Sequence, residues 1–301
     1  MNKFVVYTVL TGHYEDVQQP AVTDSRFDYI LFTNDAQSSV GVWSIRPIPD
    51  VIPGDNKRLS RYPKTHPETM LAEYKASLYI DANIQIRDQW VYDRVVELYD
   101  QGVEFAGIKL VLTGRDCIYE HSFDICQWRV ETQEMAIKQC HAMYRQGFPQ
   151  HFGLNENNVI YRLHTERMKA ADQEWWEWIV NYSSRDQFSY MFCLWHNGVA
   201  LNCFLPEGED TRNSSHFFLV DHSDRINVKK SKTLHPNLFK RLLIKNNSVS
   251  PERALKIWRS SYQSRFPVLT LYTLSALFLF VNAPAVLRAA VKKIRKKGRR
   301  P

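Results

Sequence analysis

Apolar and polar positions fall in short blocks along the chain. Phe4 to Leu10 is an apolar run that stops at Thr11-Gly12, and Asp28-Tyr-Ile-Leu-Phe-Thr33 is a second run closed by Asn34-Asp35. Runs of this length, bounded by turn residues, predict buried strands. Val42 to Ile45 predicts a third, short strand before the Pro-rich RPIPDVIPGDN. Thr65-His-Pro-Glu68 has the form of a capping box with Pro67 early in the first turn, which predicts a helix reaching about Lys75. SLYIDANIQI, Ser77 to Ile86, then reads as a buried strand with two polar residues set into it. Asp88 to Asp100 is predicted helical, with Val91, Val95, Val96, Leu98 and Tyr99 on one side. Further on, strands are predicted at Phe105 to Leu112, Asn158 to Arg162 and Val199 to Leu205. Helices are predicted at Gln127 to Arg145, Glu174 to Tyr182 and Asp186 to His196.

Strands alternating with helices argue for an α/β domain with a mostly parallel sheet flanked by helices. In such open sheets ligands bind beyond the carboxyl ends of the strands. Thr11-Gly12, Asn34-Asp35 and Asp81-Ala-Asn83 all fall at predicted carboxyl ends, so one rim gathers polar groups. Strand ends are polar in most proteins, and the rim on its own is equally a set of turns.

Composition adds less. A length of 301 residues, 44% hydrophobic and 24% charged, is ordinary for a globular chain of one large or two modest domains. The net charge of +7 is uneven, with much of the excess after Lys229 in KKSK, FKRLLIK and KKIRKKGRR. That favours a surface-binding tail over a nucleic-acid binder. The 5 Cys form no C-x-x-C pair, which fits reduced thiols better than a zinc ribbon or a disulfide framework. Phe266 to Leu287 carries no charge, but Asn282-Ala-Pro284 interrupts it and both flanks are basic. These features place both ends on one side and predict a monotopic segment, re-entrant or lying in the interface, at the cytoplasmic face of an inner or plasma membrane against anionic lipid, with a dimer-packing helix and a genuine tail anchor as the alternatives. Leu287, Val291 and Ile294 would form the apolar stripe of its final helix. The expected partition is a catalytic domain over 1–228, a basic helical linker over 229–265 and a membrane-associating segment over 266–301.

Candidate chemistry centres on Asp81 and Asn83. Residues two apart on a strand project to one side, and two such oxygen ligands suit a hard cation such as Mg²⁺ or Mn²⁺. Arg58, Arg61, Lys64 and Lys75 precede that strand and suit a diphosphate, although a solvated loop explains each one alone. In SSRDQFSY, Ser184 is placed to cap a helix, with Asp186 and Gln187 either in its first turn or facing a pocket that holds a sugar. GLNENN reads as a polar turn, and His216 stands late in the chain as a structural His or a third metal ligand.

The layout resembles a GT-A glycosyltransferase, and YIDANI is similar to the Y-x-D-A-D stretch of the retaining family with glycogenin-like and lipopolysaccharide galactosyl- and glucosyltransferase members. The series YTVLTGHYED, YILFTND, RYPKTHPE, EYKASLYIDANI, CIYEH, GFPQHFGLNENNVIYR and SRDQFS resembles a glycosyltransferase-like family long labelled a domain of unknown function. Its members include a plant mucilage-related protein, a reported ceramidase, and bacterial proteins encoded among polysaccharide genes. The resemblance implies glycosyl transfer from a nucleoside-diphosphate sugar, a UDP-sugar foremost, to a cell-envelope glycan or glycolipid acceptor. It implies Asp81, Asn83 and His216 on a Mn²⁺ or Mg²⁺ ion, with Asn83 standing where the family has Asp. It further implies Thr11, Tyr14, Asp35, Arg61 and Lys64 around the nucleotide sugar, and Asp186 and Gln187 at the transferred sugar. Two other readings stay open: a non-catalytic module that binds a nucleotide sugar or glycan, and a lipid-amide hydrolase, against which the absence of H-E-x-x-H and G-x-S-x-G counts.

Overall fold

Seven consecutive buried residues make the first strand, β1 (Phe4–Leu10). A strand with no exposed side must be covered on both faces, so it sits inside a sheet and not at its edge. A computed structural model describes residues 3–12, 16–35, 40–110, 114–128, 130–220 and 251–281. After β1 come β2 (Phe27–Thr33), β3 (Ser44–Pro47), α1 (Asn56–Leu59), α2 (Pro67–Met70), β4 (Ala76–Ile80), β5 (Ile84–Ile86), α3 (Trp90–Asp100) and β6 (Phe105–Lys109). They are followed by α4 (Ile118–Gln127), α5 (Gln133–Arg145), β7 (Asn155–Leu163), α6 (Glu166–Asn181), α7 (Tyr190–His196), β8 (Phe217–Leu219), α8 (Pro251–Gln263) and α9 (Pro267–Val281).

The chain divides into two compact units, one of residues 1–116 and 151–227, the other of residues 117–150 and 228–301. The first holds a six-stranded sheet in the order β3-β2-β1-β4-β7-β6. The four strands from β3 to β4 run parallel, while β7 is antiparallel to both β4 and β6. The mixed α/β, mostly parallel sheet expected from the alternation is present. A separate two-stranded ladder joins β5 to β8. One face of the main sheet packs on α3, where Val91, Tyr92, Val95 and Leu98 meet Phe4, Val6, Leu78, Ile80 and Tyr161 in the core.

In the second unit, α4 and α5 associate with α8 and α9. Trp258 of α8 is fully buried, and its indole N–H donates to Tyr119 O at 3.0 Å. The ring of Tyr262 stacks on Tyr119 with centroids 4.7 Å apart. The five cysteines are free, and Cys203 alone of them is exposed.

Several expected elements differ. The helix from Thr65 to Lys75 is a single turn, α2: Thr65 Oγ1 donates back to Tyr62 O in place of capping, and no side chain caps α2. The backbone from 56 to 70 is a chain of short turns that Arg162 braces, as described below. The helix expected over Gln127 to Arg145 is α5, which starts only at Gln133 after Thr132 Oγ1 caps it by accepting from Met135 N at 3.2 Å, and the sequence pattern does not predict α4 before it. Asp186 to His196 breaks into a 3₁₀ turn over Asp186–Phe188 and α7, and Arg185, not Ser184, occupies the capping position. Val199 to Leu205 makes only a single bridge, Gly107 to Cys203.

Candidate functional site

Two cavities open at the carboxyl ends of the parallel strands. The first, of about 610 Å³, is lined by Thr33, Asn34 and Asp35 after β2, by Ile45, Pro47, Ile48 and Asp50 around β3, and by Gly54, Asn56 and Leu59. Its rim is tied together by amides. Gly12 N donates to Asn34 Oδ1 at 3.2 Å, Asn34 Nδ2 to Asn56 Oδ1 at 3.1 Å, and Thr11 Oγ1 to Asn56 O at 3.0 Å. Gly12 has φ +70°, a left-handed turn open to Gly at no steric cost, which lets β1 end against Asn56. Thr11 is therefore buried as a brace of the rim, whereas Asp35 lines the cavity. Tyr14 lies outside the described residues.

The second cavity, of about 340 Å³, is lined by Asp81, Asn83, Glu156, Asn158, Gln187, Arg212, Leu219 and Val220. Asp81 and Asn83 do meet one shared space, but not by strand alternation. β4 ends at Ile80, and Asp81-Ala82-Asn83 is a turn closed by Ile84 N on Asp81 O at 2.9 Å. Asn83 is almost fully buried, and its Nδ2 donates to Val220 O at 2.9 Å, which leaves Oδ1 as its acceptor end. Asp81 N donates to Asn158 O at 2.8 Å, so the turn is seated directly on β7.

Behind Asp81 stands a buried charge cluster. Lys64 Nζ lies 2.6 Å from Asp186 Oδ2, 3.5 Å from Asp81 Oδ1 and 4.4 Å from the centre of the Tyr79 ring. Its side chain is 2% exposed and that of Asp186 11%, whereas Asp81 is 39% exposed and faces the cavity. Tyr79 OH donates to the same Asp81 oxygen at 2.7 Å. Burial, then the Asp81 charge, pushes the Tyr79 hydroxyl well above its ordinary range, so it remains a donor. Burial opposes ionisation of Asp186, but the charges of Lys64 and Arg61 outweigh it and hold that carboxyl well below the usual range. Arg61 contributes from 3.8 Å. The remaining Asp186 oxygen accepts from Gln187 N at 3.0 Å, and Arg185 Nη2 donates to Gln187 Oε1 at 2.6 Å. Gln187 therefore presents its Nε2 group to the cavity it lines. Asp186 itself is occupied on both oxygens and holds Lys64 and Gln187 in place.

His216 is engaged elsewhere. Its ring stacks on Trp90 at 4.0 Å, its Nδ1 lies 2.9 Å from Asp88 Oδ2, and it is not among the residues lining the cavity. The β5–β8 register explains this. Val220 N bonds to Asn83 O at one end of the ladder and Arg87 N to His216 O at the other. Four residues at roughly 3.3 Å each put those ends about 13 Å apart. Asn83 and His216 cannot share an ion at that separation. Among the described residues no group of three His, Cys, Asp or Glu side chains is placed to hold a metal.

Oxygen donors of another kind are present. Asn158 Nδ2 donates to Glu156 Oε2 and Thr211 Oγ1, while its Oδ1 is buried with no hydrogen-bond partner among the described residues. Asp81 and the acceptor end of Asn83 are the oxygen donors at this cavity, with the buried Asn158 oxygen behind them. Such a set fits a cation like Mg²⁺, which needs only one or two carboxylates when substrate phosphates and water complete its shell. Glu156 is 2% exposed, and burial raises its pKa against the pull of Arg212, whose Nη1 is 2.5 Å away. Glu156, Asn158 and Arg212 are the polar lining residues that the sequence pattern did not single out. Their signal was the alternation of GLNENN running directly into the apolar VIYR, which makes Glu156 and Asn158 one face of a strand, β7, in place of a turn.

No family model matches the chain, and no curated protein matches it. Among solved structures, the galactosyltransferase LgtC in complex with donor and acceptor sugar analogues is similar at 13% identity, over 66% of this chain and 72% of that one, with a TM-score of 0.37. A similarity of that size leaves the site to be read from its own geometry.

Proposed function

We propose that the protein is a glycosyltransferase that moves a sugar from a nucleoside-diphosphate donor, a UDP-sugar foremost, to a cell-envelope glycan or glycolipid. The observation that carries this reading is the 340 Å³ cavity at the carboxyl end of β4, where Asp81, Asn83 and Gln187 converge in front of the Lys64–Asp186 pair. The larger cavity at the ends of β2 and β3 is of a size that takes a nucleoside. Asp35 would meet the base or ribose there, with Thr11 shaping its edge.

Asp81 and Asn83 would hold the divalent cation, Mn²⁺ or Mg²⁺, with the donor's phosphates and water completing its shell. When bound, that ion supplies Lewis-acid stabilisation of the leaving diphosphate. The rest is done by this chain. Arg61, 27% exposed beside Asp186, is positioned to neutralise phosphate charge. Lys64 is too deeply buried to contact the donor while it pairs with Asp186, and its work is to fix Asp81 and Asp186 relative to each other. Gln187 Nε2 would donate to a hydroxyl of the transferred sugar, and the Arg185 bond to its oxygen sets the direction of that amide. Preorganised groups of this kind contribute several kcal/mol to a charged transition state because they need not reorient.

The test is a thermal-shift screen of UDP-, GDP- and ADP-sugars with and without Mn²⁺. A ligand at 100 times its Kd raises apparent stability by about 2.7 kcal/mol. The expected result is a shift for one donor class that requires the cation. A full set of donors that leaves the midpoint unmoved in both conditions would overturn the reading.

A further inference from the structure

The uncharged helix α9 (Pro267–Val281) has an unusual outer face. Its inner face is packed, with Leu271 and Ser275 each 1% exposed and Tyr272 OH donating to Glu134 in the first turn of α5. The residues turned to solvent are Phe266 just before it, Leu269, Leu277 and Val281, which are 59%, 62%, 58% and 68% exposed. Exposed Thr273 and Ala276 fall in the same three- and four-residue spacing. An amphipathic helix on a water-facing surface puts polar groups outward, and this one puts none that is charged. An apolar row of this size on a folded surface marks a contact with something other than water.

The charge distribution says what that is. Residues 1–220 carry 20 Lys and Arg against 29 Asp and Glu, a net charge of −9 with His neutral. Residues 221–301 carry 19 against 3, a net charge of +16. From Arg288 to the end there are 8 basic residues and no acidic one. The chain therefore concentrates its positive charge in the same segment that bears the exposed apolar row, and leaves its remaining two thirds acidic. A second copy docking the same face would bring two +16 segments together, whereas an anionic lipid surface attracts the charge and dissolves the apolar row. Arg265 at the start of α9 fits that arrangement, its guanidinium 5.5 Å from the centre of the Phe266 ring, a cation-and-aromatic pair of the kind found at headgroup depth. No helix of the described residues is long and apolar enough to cross a membrane. We propose that the outer face of α9 docks the protein on an anionic lipid surface, with α9 lying in the interface. This inference does not depend on the glycosyltransferase reading.

The test is co-sedimentation of the full chain with vesicles of phosphatidylcholine alone or with about one third phosphatidylglycerol. Binding should be at least about 10-fold stronger to the anionic vesicles and should weaken with salt, which screens the attraction between basic side chains and headgroups. The double variant Leu269→Asp with Leu277→Asp alters exposed positions only, so its thermal midpoint should match wild type while anionic-vesicle binding falls at least about 10-fold. Equal partition of wild type into both vesicle types, or unchanged binding by the double variant, would overturn the proposal. So would a wild-type dimer in light scattering that the double variant abolishes with vesicle binding intact, since the face would then belong to a second copy.

Discussion

Both faces of the six-stranded sheet are largely apolar, but one of them has a buried charged network set into it and the other has none. On the latter, α3 covers an apolar layer that includes Val6, Leu78, Ile80 and Tyr161. On the former, Arg162 is fully buried and donates to Asp172 Oδ2 at 2.6 Å, to Lys64 O at 2.7 Å and to Tyr7 OH at 2.8 Å. The apolar face is worth its area removed from water and tolerates exchange among residues of similar volume. The Arg162–Asp172 pair on the other face is worth little against an apolar alternative, yet it is costly to break. Its gain is position. Arg162 grips the carbonyl of Lys64, the ammonium of Lys64 grips Asp186, and Trp175 of α6 donates to Asp186 O at 3.0 Å. A buried pair at the centre of the fold thus fixes a second buried pair behind the cavity that Asp81 lines.

Removing one partner of the Arg162–Asp172 pair is the largest perturbation expected. Asp172→Ala removes the carboxylate hydrogen-bonded to a buried guanidinium, with Glu68 the other acid acting on it, and should lower unfolding free energy by about 3–5 kcal/mol. The matching change on the apolar face, Leu78→Ala, should cost a similar 2–5 kcal/mol through its cavity. Denaturant midpoints measure both, and the comparison breaks if Asp172→Ala costs less than about 1 kcal/mol. What should separate them is the site: Asp172→Ala releases Lys64 and weakens donor binding, while Leu78→Ala does so only as far as the protein unfolds.

A smaller effect comes from pH. His164, beside the same network, bonds through its two ring nitrogens with Tyr74 O and Ser77 Oγ. Burial first, then the charge of Arg162, brings its pKa down from 6.5 to about 4. The folded state therefore binds fewer protons than the unfolded one between these values, and stability rises with pH across that window. The contribution is fully present above about pH 6.5 and drains away toward pH 4, on the order of 3 kcal/mol in all. Thermal midpoints from pH 4.5 to 7 should climb, and His164→Asn should flatten that slope. An Asn variant with the wild-type slope would place the pH dependence elsewhere.

The apolar face was legible in the sequence because alternation and run length alone produce it. β1, β2 and β4 appear where their apolar runs predict them, and Thr11-Gly12, Asn34-Asp35 and Asp81-Asn83 do end their strands or follow them directly. The charged network of the other face was not legible, because its bonds span distances along the chain that no local pattern encodes. Lys64 and Asp186 are 122 residues apart, and Arg162 and the Lys64 carbonyl 98. Thr65-His-Pro-Glu68 has the composition of a helix start, yet that tertiary grip holds the segment as short turns, and tertiary context overrides propensity. His216 misled for a related reason: its place was set by the register of the two-stranded ladder with β5, which depends on pairing and not on composition.

The most direct test of the central claim, that Asp81 makes a cation-dependent donor site, is calorimetric titration of UDP with and without Mn²⁺ into wild type and Asp81→Asn. Asp81 is partly exposed, so the variant should fold, and a stability curve checks that separately. The expected result is that Mn²⁺ tightens UDP binding at least about 10-fold in wild type, a coupling of about 1.4 kcal/mol, and leaves Asp81→Asn unaffected. Equal tightening in both proteins, or none in either, would contradict it.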